Sequence, residues 1–597
     1  MSKKQIHSKI FDSELINFDI SELQQLSKEI SKFQISRRDL KKNIKISISS
    51  DYTTNYFTEI LKLFLINKRI QPEIYETEFG SLRYDIRDLS RKFWDKKNDF
   101  FVLIPSSNNF SYFPKIDDDK KKIKEKAIEE AQLWINLWSK IDKNIIQTTF
   151  DPPLNPGLSS EDAVRYGGHL HFVRLVNSIL VEKSPPNVNL IDIENLIFNN
   201  KEASWQDSRL FHLAKQPFNM ETIPSLTKSV CGRIVGTLGM AKKVVVIDLD
   251  NTLWGGVIGE DGVNGIKLDS NSAEGEAYLN FQKYLKKLSL NGIVLCVCSK
   301  NDDKIAKEVF KRHKQIILKL EDFTVFTANY EDKAKNIKAI SKTLNLGLDS
   351  FVFIDDSKIE CSFVKKILPE VFVINVDSSE PSEYIKKIES YNLFYFKNIT
   401  KEDLTRTQSY QKLKKYEEIK SNTNDLEKFL KELKPIIYLE NVNKSNVSRS
   451  AQLLAKTNQF KFNSKIYTEK ELLKLRNQTI VMSFKDTIQD YGIVGVAVLS
   501  DRKKDKALEI ENWVLSCRVF SRRIENYIIG HLIKKATKTK YNKINFKFHK
   551  TKKNVYLQDF LKKLKIKIEE NSKYYSTNIE NIKNSENTYM NLGKFDN

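Results

Sequence analysis

Five short apolar runs between residues 244 and 376 constrain this chain more than any other feature: VVVI, IVLCVCS, FTVFTA, SFVFI and VFVINV. Between them lie EGEAYLNFQKYLKKLSLNG, DKIAKEVFKRH and KAKNIKAISKTLN, whose apolar residues recur at helical spacing. Runs that are apolar at nearly every position suit strands buried on both faces. Alternation of such strands with helices predicts a parallel sheet. In an open parallel sheet the functional site lies at the carboxyl ends of the strands. Those ends hold Asp248, Ser299 and Asp355.

Two further blocks flank this one. NIKISISS and DFFVLIPSS read as strands and TTNYFTEILKLFLINK as a helix, so the first block is also α/β, with DPPLNPGLSS as its clearest loop. After a polar helical linker, KEDLTRTQSYQKLKKYEEIKSN, come IVGVAVLSD, KALEIENWVLSC and the helix IENYIIGHLIKKA, an α+β pattern with antiparallel strands before a helix. A chain of 597 residues is too long for one core, and 40% hydrophobic residues can fill several. The expected organisation is a multidomain α/β protein with an α/β domain over 1–235, a parallel-sheet domain over 240–398, a linker over 399–430 and an α+β domain over 431–597. The end, NSENTYMNLGKFDN, is expected to fray.

The formal net charge of +22 favours an anionic partner, but the excess Lys is spread along the chain and is densest only in KKATKTKYNKINFKFHKTKKN. With no zinc-finger spacing, aromatic RNA-binding signature or repeat, nucleic acid is not the expected partner. The start, MSKKQIHSKIFDSELINF, has no apolar block after its lysines, and no apolar stretch is long enough to span a bilayer, so the expectation is a cytoplasmic protein. Cys231, Cys296, Cys298, Cys361 and Cys517 follow no disulfide or zinc spacing and read as reduced thiols, with Cys296 and Cys298 in a core strand.

The strand-end residues match the needs of phosphoryl transfer through a covalent intermediate: a carboxylate nucleophile, an acid for the leaving oxygen, a metal, and donors for the phosphoryl oxygens. In VVVIDLDNT, Asp248 is the expected nucleophile and Asp250 the general acid/base. Thr252, Ser299 and Lys333 are the expected phosphate-binding groups. Asp355, with Asp356 beside it, is expected to complete a Mg2+ site with Asp248 and a backbone carbonyl near Asp250. Fewer than about fifty residues separate Asp250 from Ser299, which leaves no room for a large cap domain.

IDLDNTLWGGVIGEDG resembles the signature of the FkbH-like branch of the haloacid-dehalogenase superfamily, and NLGLDSFVFIDDSKIE resembles its fourth motif. SDYTTNYF and WQDSRLFHLAK are similar to that family's amino-terminal region. AQLLAKTNQFKFNSKIYTE, DYGIVGVAVLSD and NWVLSCRVF are similar to its carboxyl-terminal one. The resemblance implies a HAD-like Rossmannoid sheet between a Ser-Gly-Asn-His (SGNH) hydrolase-like domain and an acetyltransferase (GNAT)-like domain. It implies an enzyme that dephosphorylates 1,3-bisphosphoglycerate, a phosphorylated three-carbon substrate, and loads glyceryl as a thioester on the phosphopantetheine of an acyl carrier protein. One departure is Ser357-Lys358, where the family usually has Asn-Pro.

The thioester half needs a thiol. Cys517 is the candidate, with Arg518 expected to lower its pKa; a buried structural thiol is the competing reading. The loop after it reads Arg518-Val519-Phe520-Ser521-Arg522-Arg523 where relatives have glycines, leaving Arg522 and Arg523 to contact phosphate by charge. In the first block Ser50, Asp207 and His212 stand as a second candidate set, with His212 otherwise a structural histidine. His169 and His171 in GGHLHF resemble two metal ligands on a strand but lack further partners and read as structural. Two alternatives compete with the loading enzyme: a plain phosphatase on a sugar or small metabolite phosphate with a fused acyltransferase domain, and a nucleic-acid-binding scaffold.

Overall fold

The computed structural model describes residues 40–154, 160–200, 204–397, 426–502, 505–520, 522–566, 575–582 and 590–593, with a helix at Ile20–Ser31 and a few isolated positions besides. Most of the 399–430 linker, Ser521 and most of the expected fraying end lie outside the described residues. The chain divides into two compact units, Met1–Thr237 and Leu238–Asn597.

The first unit holds β1 (Lys42–Ser50), β2 (Ile70–Glu76), β3 (Phe100–Ile104), β4 (Asn144–Thr148) and β5 (Val188–Ile191), all parallel, in the order β2-β1-β3-β4-β5. Every residue of β3 is buried, as a strand covered on both faces must be. Helices Asn55–Asn67, Lys120–Lys140 and His169–Lys183 lie in crossovers between these strands, and helix Ile223–Thr237 follows the last of them. His169 and His171 therefore begin a helix rather than sit on a strand. The Asp162 carboxylate accepts from the His169 and Leu170 amides, both at 2.8 Å, and caps that helix. Gly168 at the cap lies where a Cβ would meet the Asp162 carbonyl oxygen at 2.1 Å, so only glycine fits.

The second unit contains two sheets. The first is parallel, in the order β10-β9-β6-β7-β8: β6 (Val244–Ile247), β7 (Val294–Ser299), β8 (Phe323–Ala328), β9 (Phe351–Asp355) and β10 (Phe372–Asn375). Val244 to Ile247 are all at zero exposure, each burial worth roughly 1.5–3 kcal/mol as an upper bound. Helix N-caps close the loops that leave these strands. Asp302, Asp332 and Ser357 accept amides of the helices Asp303–Arg312, Lys333–Leu344 and Lys358–Ile367. Residues 251–298 are used up by a turn, the helices Ile258–Gly265 and Ala273–Leu290, and most of β7, so no cap domain is inserted there.

The other sheet is mixed, in the order β16-β15-β14-β13-β12-β11-β17: β11 (Ile436–Asn441), β12 (Thr479–Lys485), β13 (Asp490–Arg502), β14 (Ala507–Leu515), β15 (Lys543–Phe546), β16 (Tyr575–Asn578) and β17 (Asn591–Leu592). Strands β11 to β14 are antiparallel. After helix Ile524–Lys538 the chain returns as β15, parallel to β14. Trp513 anchors this core, with its ring centroid 4.9 Å from Phe460 and 5.7 Å from Phe462.

Candidate active site

Strand order makes the site. Pairing of β6 with β9 sets Ile247 opposite Ile354, so the next residue of each strand, Asp248 and Asp355, lies at the same edge. The N-cap Asp332 starts the neighbouring helix at Lys333, whose ammonium reaches both carboxylates: 3.0 Å to Asp248 Oδ1 and 2.5 Å to Asp355 Oδ2. All three groups are almost wholly buried. Burial alone would lower the Lys333 pKa, but the two carboxylates outweigh it and hold the ammonium above its usual value. Burial and the nearby Asp248 charge raise both Asp355 and Asp356. A cation beyond the one lysine would relieve the cost of holding these carboxylates charged.

Asp248, Asp355 and Asp356 each offer an oxygen within 4.8 Å of the others, a hard-oxygen set that suits Mg2+. The Asp250 carboxylate lies outside that set. Trp254 Nε1 donates to it at 3.0 Å, the Ile258 amide at 3.1 Å and Asn301 Nδ2 at 3.0 Å. Any share of Asp250 in metal binding thus falls to its backbone. Burial raises the Asp250 pKa against these three donors, the direction that favours a proton-carrying acid. The turn that presents Asp250 depends on Gly256, at φ +90°, where a Cβ would meet Asp261 Oδ2 at 2.5 Å.

The remaining expected phosphate-binding groups divide. Ser299 ends β7 and its hydroxyl accepts from Asn301 Nδ2 at 3.1 Å, so Asn301 bridges Ser299 and Asp250. The hydroxyl of Thr252, fully buried, instead accepts from the Asp356 amide at 3.1 Å and lies 3.3 Å from Asp356 Oδ1. Both of these hydrogen bonds tie Thr252 to Asp356. Ser357, the departure from Asn-Pro, donates its amide to Asp355 Oδ1 at 2.8 Å and caps the next helix. Asn301 is not among the expected residues, and Asp356 is expected only as a neighbour of Asp355; the polar pair Lys300-Asn301 just after β7 is the one signal that could have drawn attention to Asn301.

Cys517 opens a 3-10 turn after β14 and lines a cavity of about 100 Å³ with Lys243, Asn345, Ser350 and Arg518. Its thiol is only partly exposed, and burial raises its pKa although Lys243 and Arg518 pull it down. The expected lowering by Arg518 is therefore real in sign and too small to win. Lys243 and Ser350 precede β6 and β9, whereas Asp248 and Asp355 lie at the other ends of those strands. Five residue steps from Lys243 to Asp248 span roughly 16 Å of extended chain. Arg522, expected to reach phosphate, is buried and ion-paired with Asp486 at 3.1 Å, with Tyr491 also bonded to it. Arg523 pairs with Glu427 at 2.7 Å.

In the first unit the expected Ser50, Asp207 and His212 each have other partners or none. Ser50 Oγ donates to the Ile104 carbonyl at 3.1 Å and accepts from the Tyr52 amide at 2.9 Å. Asp207 caps helix Ser208–Ala214 through the Leu210 amide, and His212 is exposed beside Phe211. No hydrogen bond joins any two of the three.

Residues 45–235 match the family described as FkbH, N-terminal domain. The N-terminal part of a Bacteroides fragilis protein, described as containing a phosphatase domain complexed with Mg, is 25% identical with a TM-score of 0.57, over 64% of this chain and 99% of that one. A HAD family enzyme from Bacteroides thetaiotaomicron, in complex with magnesium and inorganic phosphate, is 19% identical over 23% of this chain and 96% of its own, with a TM-score of 0.17. A GNAT family acetyltransferase from Staphylococcus aureus is 13% identical over 24% of this chain and 99% of its own, with a TM-score of 0.20. No curated protein matches the chain. The FkbH match in the first unit, the likeness that continues into the second, and the aspartates at the ends of β6 and β9 fit an FkbH-like protein of the haloacid-dehalogenase superfamily.

Proposed function

We propose that the second unit is a Mg2+-dependent phosphatase-type enzyme in which Asp248 attacks phosphorus. The observation that carries this reading is the cluster of Asp248, Asp355, Asp356 and Lys333 at the carboxyl ends of adjacent parallel strands. Asp248, Asp355 and Asp356 would hold Mg2+, which supplies positive charge against the phosphoryl oxygens. Lys333 neutralises the remaining carboxylate charge and orients Asp248. Asp248 forms an aspartyl phosphate as the bond from phosphorus to the leaving oxygen breaks, and Asp250 gives that oxygen its proton. Asp250 then takes a proton from the water that attacks phosphorus and releases phosphate. Asn301 holds Asp250 and Ser299 in one hydrogen-bonded line.

The finer reading is that the phosphoryl donor is 1,3-bisphosphoglycerate and that glyceryl passes to the phosphopantetheine thiol of an acyl carrier protein. Its support is family resemblance, the +22 net charge, which attracts an anionic partner, and the thiol of Cys517 beside Lys243 and Arg518. Because Cys517 and Asp248 belong to opposite ends of β6, the acyl group would have to travel on a mobile arm. That same separation favours a second reading, a phosphatase acting on a small metabolite phosphate with an acyltransferase domain working independently.

Incubation with Mg2+, 1,3-bisphosphoglycerate and a phosphopantetheinylated carrier, followed by intact-mass measurement of the carrier, separates the two. A glyceryl mass increase that Cys517→Ser abolishes supports loading through the thiol. Phosphate release without a mass increase supports the second reading. Absence of both, with a range of phosphate monoesters also untouched, would remove the enzymatic assignment.

A further inference from the structure

In the first unit β2 lies on one side of β1 and β3 on the other, so the strand order reverses between β1 and β3. Helices leaving adjacent strands diverge to opposite faces at such a switch point and leave a crevice at the carboxyl ends. A cavity of about 510 Å³ lies there, within the ordinary size range of a small-molecule site, lined by Asp51 after β1, Ser106 and Asn108 after β3, and by Arg83, Arg87 and Lys215.

Its floor holds two groups that the protein leaves incomplete. Asp51 is 6% exposed; its Oδ2 accepts from the Ser106 amide at 2.9 Å, and the Asn109 side chain lies near enough to help hold its pKa down, yet its buried Oδ1 is left without a well-formed hydrogen bond. Arg83 gives Nη1 to Glu130 at 3.1 Å, and its buried Nε and Nη2 have no acceptor. Arg83 is close enough to draw the Asp51 pKa down against burial, yet no ion pair joins them. A hydroxyl fits such a gap, since it donates to a carboxylate and accepts from a guanidinium at once. Behind them, Tyr52 donates to the Asp151 carboxylate at 2.6 Å and bonds Ser106, which fixes the floor. At the rim, Arg87 and Lys215 are exposed cations, and the exposed rings of Phe79 and Tyr84 flank the mouth.

We propose that this crevice binds a phosphorylated polyol or sugar, with a hydroxyl between Asp51 and Arg83 and the phosphate on Arg87 and Lys215. The rings at the mouth suit the carbon face of a sugar. The site is separate from the Asp248 centre and uses none of its residues, so failure of either reading leaves the other standing.

The test is equilibrium binding to the full chain in EDTA, with D-glucose 6-phosphate, glycerol 3-phosphate, D-glucose and inorganic phosphate as probes. Saturable binding of at least one phosphorylated polyol is expected, at least tenfold tighter than either glucose or phosphate. It is expected to weaken at least tenfold in Arg87→Ala/Lys215→Ala and in Asp51→Asn, with melting curves confirming that the variants fold. The double variant changes only exposed side chains, so it tests the site even if Asp51→Asn does not fold. The proposal is overturned by absence of binding with all four probes, by equal binding in wild type and the double variant, or by phosphate alone binding as tightly as its esters.

Discussion

The two five-stranded parallel sheets of this chain are built alike and equipped differently. In each, the first strand of the unit runs inside the sheet and delivers an aspartate at its carboxyl end, Asp51 after β1 and Asp248 after β6. Around Asp248 stand two more carboxylates and a buried lysine. Around Asp51 stand an amide, a guanidinium with an open edge and rim cations. The first set concentrates negative charge and calls for a metal; the second suits a neutral hydroxyl and an anion. The backbone supplies the same reversal of strand order both times, and the side chains on the loops decide the chemistry.

The sharpest way to break the comparison is Asp248→Asn. Loss of the nucleophile is expected to reduce phosphate release by at least about a thousandfold while the protein still melts cooperatively. Retained turnover would put Asp248 on the same footing as Asp51. Next comes Asp250→Asn, expected to cost about 10²–10⁴-fold in kcat, with a larger loss for esters with poor leaving groups. Because burial raises the Asp250 pKa, the acid stays protonated to higher pH than an ordinary carboxyl. Activity is therefore expected to fall on the alkaline side as Asp250 loses its proton, and that limb is expected to vanish in the variant. A pH profile of both proteins measures it.

A smaller effect separates the sheets by metal. Mg2+ at a hundred times its Kd stabilises a folded site by about 2.7 kcal/mol, which for a domain of this size is a rise in Tm of roughly 5–10 °C. Asp355→Asn is expected to remove that rise, and Asp51→Asn to leave it in place; calorimetry with and without EDTA distinguishes them. The smallest effect belongs to Ser50→Ala. Losing the bonds to Ile104 and Tyr52 is expected to cost about 1 kcal/mol of stability, with phosphate release within twofold of wild type. A large loss of activity would restore Ser50 as a reacting group.

The sequence made the β/α alternation legible because strands buried on both faces must be apolar until they leave the core, and VVVI, VLCVC and FVFI obey that rule. It also located Asp248, Ser299 and Asp355 at strand ends, since the switch from apolar to polar residues marks where a strand leaves the core. GGHLHF misled because two histidines two apart fit a strand, whereas Asp162, seven residues upstream of His169, caps them into a helix. Asn301 and Thr252 were hard to assign because their partners lie 51 and 104 positions away.

By itself, then, the amino-acid sequence determined the repeating strand and helix units, the N-caps that close them and which acidic residues end the strands, because these depend on periodicity and on neighbours a few positions apart. Only the tertiary structure decided that Asp356 rather than the Asp250 carboxylate joins the metal cluster, that Arg522 is spent on Asp486, and that Cys517 lies beside residues at the far end of β6. Each of those outcomes depends on which strands pair and on what burial does to a charge, and neither quantity is local in the chain.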